Sequence, residues 1–249
     1  MAERTFHPGT FVWRELMTDD VEGARRFYSG LFGWSFKGED MGPAGTYWMA
    51  SRDGRQIGGV MAKPAGAPMP TAWSSYVLVE DVDAAARRCT SEGGRVLRDP
   101  ADIEGVGRFA VIADPWGAVL LPFRGSSTEE APSRPGLGAF CWETLVTPNP
   151  ASAAAFYRKV IGFGAGRTPS GEGTVFTAGG AQVADVQPAS GGPSYWATYV
   201  AVADAVASRD LAERLGGKVI TPRIDIPRVG IVAVVADPGG GALGLFQAA

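Results

Sequence analysis

Two carboxylates stand inside strand-like sequence that is otherwise largely apolar: Glu15 in FVWRELMT (11–18) and Asp185 in AQVADVQP (181–188). A buried acid is costly unless it is paired. Paired, each would be a salt bridge or hydrogen bond to Arg14, Arg108 or a tyrosine. With a raised pKa in an apolar setting, each would be a general base or a ligand anchor. Glu15 and Asp185 are therefore the candidate catalytic residues. Other reactive types are scarce. The sole histidine, His7, lies beside Pro8-Gly9 near a terminus and reads as a solvated tail residue. Cys89 and Cys141 follow no metal-ligand spacing and read as reduced core thiols. Arg25 and Arg26 read as the solvated face of a helix.

The elements that must carry these residues occur in repeats. Trp73 to Phe123 returns as Trp196 to Phe246, with 21 of 51 positions identical in an ungapped comparison. FVWRELMTDDVEGARRFYSGLFGW (from Phe11) returns as FCWETLVTPNPASAAAFYRKVIGF (from Phe140). Such self-similarity sets the architecture before any local assignment. Within each half, an alternating strand leads to an N-cap, a helix-periodic run and a closing glycine, as in Phe11–Thr18, Asp20 and Gly33. Three short strands follow, two of them joined by a turn such as Asp53-Gly54 or Asp114-Pro115-Trp116-Gly117. The unit is β-α-β-β-β and the chain holds four. Two domains are expected, at 9–124 and 138–248, with a Pro/Gly/Ser-rich linker over 125–137.

Bulk properties narrow the partners. With 45% hydrophobic and 20% charged residues, each half can bury a core. Net charge is −3 with scattered Lys and Arg, which argues against nucleic acid. No apolar run approaches the ~18 residues of a membrane span. The N-terminus lacks the regions of a signal peptide, so a cytoplasmic protein is expected. The 35 glycines and abundant alanine suggest a GC-rich bacterial source.

Four ordered motifs carry a family resemblance: Asp20…Phe27-Tyr28…Leu31-Phe32-Gly33-Trp34, Asn149…Phe156-Tyr157…Ile161-Gly162-Phe163, Ala113-Asp114-Pro115-Trp116-Gly117 and Ala236-Asp237-Pro238-Gly239-Gly240. The chain resembles the vicinal oxygen chelate (VOC) superfamily, the glyoxalase, bleomycin-resistance and extradiol dioxygenase group. The resemblance implies an α+β fold: four βαβββ units in two tandem VOC domains, each a curled mixed sheet around a cavity. Active members hold a divalent metal there with His and Glu.

Carried over residue by residue, the metal positions fall on Trp13, Ser74 and Leu121 in the first half and on Trp142, Ala197 and Gly244 in the second. The strand 56–61 carries no ligand; its counterpart carries Asp185. A lone carboxylate does not hold a divalent ion tightly, so no cofactor is expected. If position 13 faces the cavity, strand alternation turns Phe11, Glu15 and Met17 the same way, and Phe140, Trp142, Thr144 and Val146 in the other half. Ser74 with Tyr76, and Ala197 with Tyr199, follow on the fifth strands. The expected ligand-binding residues are thus Trp13, Ser74, Tyr76, Leu121, Trp142, Thr144 and Tyr199, although large aromatics can equally fill such a sheet.

The expected function is metal-independent binding of a hydrophobic or aromatic small molecule, such as an antibiotic or an intermediate of specialised metabolism. The alternative is a metal-free isomerase, cyclase, lyase or hydrolase using a cavity carboxylate. A third reading is a metal-dependent lyase or dioxygenase whose ligands align elsewhere. No nucleic-acid or membrane partner is expected. A monomer is possible because tandem halves supply what single-domain relatives gain by dimerising, and a homodimer stays open.

Overall fold

The computed structural model describes residues 7–126, 136–167 and 173–249; residues 127–135 of the expected linker lie outside them. Four β-α-β-β-β modules follow one another. The first is β1 (Phe11–Thr18), α1 (Val21–Phe32), β2 (Ser35–Asp40), β3 (Thr46–Arg52) and β4 (Arg55–Ala62). The second is β5 (Ala72–Leu78), α2 (Val82–Ser91), β6 (Arg95–Ile103), β7 (Gly107–Ala113) and β8 (Val119–Gly125). The third is β9 (Phe140–Thr147), α3 (Pro150–Val160), β10 (Gly164–Arg167), β11 (Thr174–Ala178) and β12 (Ala181–Pro188). The fourth is β13 (Tyr195–Ala201), α4 (Ala205–Arg214), β14 (Lys218–Ile226), β15 (Gly230–Ala236) and β16 (Ala242–Ala248). The strands form two eight-stranded mixed sheets of matching order, β2-β3-β4-β1-β5-β8-β7-β6 and β10-β11-β12-β9-β13-β16-β15-β14. Among the described residues no helix is long and apolar enough to cross a membrane.

Local chemistry explains the first module. The Asp20 carboxylate accepts from Gly23 N at 2.8 Å and starts α1; Gly33, at φ 70°, closes it with its N–H on Ser29 O. Asp53 and Gly54, at φ 49° and 75°, make the tight β3–β4 turn. In β1, Leu16 is fully buried in a core with Ala24 and Phe27 of α1, Ala50 of β3 and Val60 of β4. That face of the module is its packed, helix-side face.

By contact density the chain forms two compact units. One gathers Met1–Val12, Ser75–Ser133 and Glu143–Trp196, which contain most of the second and third modules; the other gathers Trp13–Ser74, Arg134–Trp142 and Ala197–Ala249. Each has its own core. The first centres on Ile112, Leu120, Leu145, Tyr157 and Phe176, and the second on Leu16, Phe27, Tyr28, Val200 and Leu245.

The four motif segments meet inside these cores. In the second unit the Tyr28 hydroxyl donates to Asp237 Oδ2 at 2.9 Å and accepts the Trp73 indole N–H at 2.8 Å. Asp237 Oδ1 meanwhile accepts Gly241 N and shapes the turn before β16. In the first unit Tyr157 donates to Ala118 O at 3.2 Å, and Asp114 Oδ1 accepts Trp116 N and Ala118 N. Burial, and then the neighbouring aspartate, push both tyrosines well above the usual phenol range. Burial likewise raises Asp114 and Asp237 against the pull of their hydrogen bonds. These residues are structural locks.

Candidate functional site

Register identifies what the first module presents on the face away from α1. Glu15 pairs with Gly59 and Met17 with Met61 across β1–β4; Met49 pairs with Gly59 across β3–β4. Side chains paired in register share a face. That face therefore carries Trp13, Glu15 and Met17 from β1, Gly59 and Met61 from β4, and Tyr47 and Met49 from β3. Trp13, Met17, Tyr47, Met49 and Met61 are all half-buried, whereas Glu15 is only 6% exposed. The Trp13 indole N–H donates to the Tyr47 hydroxyl at 2.7 Å. Lys37 and Glu39, ion-paired at 2.8 Å, pair in register with Met49 and Tyr47. The result is a half-buried aromatic and thioether surface holding one buried carboxylate.

The second module is more filled. Tyr76 pairs in register with Leu121, and both are buried. The Tyr76 ring lies 5.9 Å from those of Phe109 and Phe123, and the Arg98 guanidinium caps Phe109 at 4.8 Å. In the third module the acid has moved to the neighbouring strand. Thr144 pairs in register with Asp185, as Glu15 does with Gly59. The buried Thr144 hydroxyl donates to Asp185 Oδ1 at 2.6 Å, and the Gln187 amide donates to Oδ2 at 2.5 Å. In the fourth module Tyr199 pairs with Gly244 and its ring covers that residue; a Cβ there would fall on the ring carbons. Cys141 Sγ donates to Tyr199 O at 3.5 Å.

The positions that hold metal in active members of the resembled family do not offer a ligand set. Leu121 has no donor atom, and the Gly244 position is taken by the Tyr199 ring. Trp13, Ser74, Trp142 and Ala197 add no carboxylate or imidazole. Among the described residues no three His, Cys, Asp or Glu side chains converge to hold an ion.

The structure joins several expected residues: Trp13 with Glu15 on one face, Tyr76 with Leu121, Tyr199 with Gly244, and Thr144 with Asp185. Ser74 and Trp142 are half-buried on β5 and β9. Other expectations need correction. Phe11 and Phe140 turn away from the alternation and into the cores. Phe11 packs on Phe163 and Trp196 at 5.9 and 5.6 Å, and Phe140 on Trp34 and Trp73 at 5.3 and 5.1 Å. A large ring at the first residue of a strand gains more by burial there than the pleat dictates. His7 is half-buried against Gly179 rather than a solvated tail residue. Arg25 caps the Trp48 ring at 3.4 Å instead of standing free in water. Asp185 is paired, as an acid in an apolar strand should be, through hydrogen bonds from Thr144 and Gln187, and Arg108 is engaged by Asp83 and Asp102. Cys89 is buried, and burial followed by Asp114 lifts its thiol to about 11; Cys141 is only half-buried. Sequence reasoning missed Tyr47, Met49 and Met61, although the alternation of TYWMAS (46–51) beside the Asp53-Gly54 turn carried the signal for Tyr47 and Met49.

Comparison with known proteins agrees with this architecture. The profile of the Glyoxalase/Bleomycin resistance protein/Dioxygenase superfamily matches residues 10–120. The candidate glyoxylase CFP32 of Mycobacterium tuberculosis is 35% identical over 98% of this chain and 97% of its own length. The anthracycline biosynthesis protein DnrV of Streptomyces peucetius is 32% identical over 97% of this chain and 94% of its own. The fold also matches the Mn(II)-bound glyoxalase of Novosphingobium aromaticivorans, with a TM-score of 0.65 at 14% identity over 97% of this chain and 83% of that one. With an α+β fold of four βαβββ modules and two full-length relatives above 30% identity, the chain belongs to the glyoxalase, bleomycin-resistance and dioxygenase superfamily, the vicinal oxygen chelate proteins.

Proposed function

We propose that this protein binds a flat, hydrophobic aromatic small molecule without a metal, as a cytoplasmic component of bacterial specialised metabolism. The observation that carries this reading is the half-buried aromatic face of the first module. Trp13, at a family metal position, is instead hydrogen-bonded to Tyr47 on a face that also carries Met17, Met49 and Met61. Aromatic stacking contributes about 0.5–1.5 kcal/mol per pair beyond area burial. Methionine adapts to irregular apolar shapes. Similarity to an anthracycline biosynthesis protein supports a planar polycyclic compound as the class. Titrating the protein with an anthracycline in the presence of a chelator should quench tryptophan fluorescence saturably, and Trp13→Ala should remove most of that quench. An absence of quench across a panel of polycyclic aromatics would reject the reading.

A second reading is that the same protein is a metal-free enzyme. Glu15 is buried beside this surface, and Asp185 orients the Thr144 hydroxyl. Either carboxylate has the chemistry of a general base once a substrate C–H or O–H lies within hydrogen-bond reach. Under this reading Glu15→Gln or Asp185→Asn abolishes turnover of a bound compound and leaves its binding intact. Unchanged turnover in both variants would leave binding as the whole function.

A further inference from the structure

On the first module a single side chain crosses the sheet. Tyr47 starts on β3, and its phenol end lies on Gly59 of β4. A Cβ added at Gly59 would coincide with the Tyr47 hydroxyl oxygen, Cζ and Cε1. The hydroxyl then meets the Trp13 indole N–H of β1 at 2.7 Å. Tyr47 therefore lies as a bar over β4, tied at its far end, and only glycine at position 59 permits this. Trp13 and Tyr47 are both half-buried, so the tied pair keeps part of its aromatic surface exposed. The fourth module repeats the device with Tyr199 on Gly244, there with the ring edge over the glycine.

We infer that the Trp13–Tyr47 pair is the floor of the ligand site on this module, and that Tyr47 is the residue that selects a flat aromatic ring over a saturated one of similar size. The inference rests on the proposed binding of aromatic compounds. Two rings locked by a mutual hydrogen bond offer contact area at little entropic cost, since few rotamers remain to be frozen. A planar ligand laid on them gains stacking that a puckered ring cannot. The methionines on the same face accommodate either shape, so the discrimination resides in the floor.

The test uses the full chain and two probes, an anthraquinone carboxylate and a fully saturated three-ring carboxylate, titrated by calorimetry. The wild type should prefer the anthraquinone. Tyr47→Leu should weaken the anthraquinone about two- to tenfold, the equivalent of one stacking pair, and leave the saturated probe unchanged. Gly59→Ala, which lifts the bar off β4, should do the same, and the double variant should be no worse than either single one. If Tyr47→Leu does not fold, Gly59→Ala carries the test. Equal losses for both probes, no loss, or tighter anthraquinone binding would overturn the inference while leaving aromatic binding standing. Tighter binding would make Tyr47 a plug. A wild type that binds neither probe would reject the functional reading and this inference with it.

Discussion

Replacing Tyr28 by Phe removes one oxygen atom from the centre of the second unit, and its cost follows from the partners of that atom. The hydroxyl donates to the Asp237 carboxylate at 2.9 Å and accepts the Trp73 indole N–H at 2.8 Å; all three residues are buried. A hydrogen bond to a charged group contributes roughly 1.5–3 kcal/mol, and a stranded buried donor costs roughly 1–3 kcal/mol. Phenylalanine fills the same volume, so no cavity adds to the sum. Tyr28→Phe should therefore cost about 3–5 kcal/mol. The counterpart Tyr157 donates to Ala118 O at 3.2 Å and also interacts with the buried Asp114 carboxylate, so Tyr157→Phe should be destabilising as well, by about 1–3 kcal/mol. Equilibrium urea unfolding of both variants, followed by tryptophan fluorescence and far-UV circular dichroism, measures the difference. A Tyr28→Phe cost below about 1 kcal/mol would refute the claim that this hydroxyl locks the motif segments together.

Other expectations follow from the same contacts. Gly244→Ala drives a methyl into the Tyr199 ring and should destabilise by about 1–3 kcal/mol, the usual cost of overpacking, measured by the same unfolding assay. Burial raises the Asp237 carboxyl in the folded state. Its contribution to stability is then full below the unfolded carboxylate pKa of about 4 and is lost as pH rises through the raised folded value. The stability difference between wild type and Asp237→Asn should accordingly be larger near pH 4 than near pH 7, and a difference that grows with pH would contradict this. Chelator treatment should leave the melting temperature unchanged, because a metal bound only by the folded state would lower it on removal; a clear drop in a thermal-shift assay would restore a metal site.

What was legible in the sequence was what is local or repeated. Asp20 and Gly33 mark the ends of α1 because capping depends on neighbouring backbone N–H and C=O groups. The hairpin at Asp53-Gly54 and the four βαβββ modules were readable for the same reason. The residue types at the family metal positions were readable too, since they are set by the chain and not by its folding. The non-local pairings were hidden. Tyr28 meets Asp237 across 209 positions, and nothing in either motif names its partner. Tyr47 was overlooked because its role depends on a gap at Gly59 that only the strand register exposes. The alternation that placed Trp13 and Glu15 on one face failed for Phe11 and Phe140, where core aromatics capture a ring at the strand's first residue. Asp185 stood out as an acid among apolar residues, but its fixing by Thr144 and Gln187 rests on a pairing across 41 positions.

The proposed function reduces to metal-independent binding of a planar aromatic compound on the face that carries Trp13. It is tested most directly by calorimetric titration of one polycyclic aromatic into wild-type protein and Trp13→Ala, each in chelator and again with added Mn²⁺. Wild-type affinity should be the same with and without the metal, and Trp13→Ala should lose about two- to tenfold under both conditions. Binding that appears only with Mn²⁺, or that is indifferent to Trp13→Ala, would contradict it.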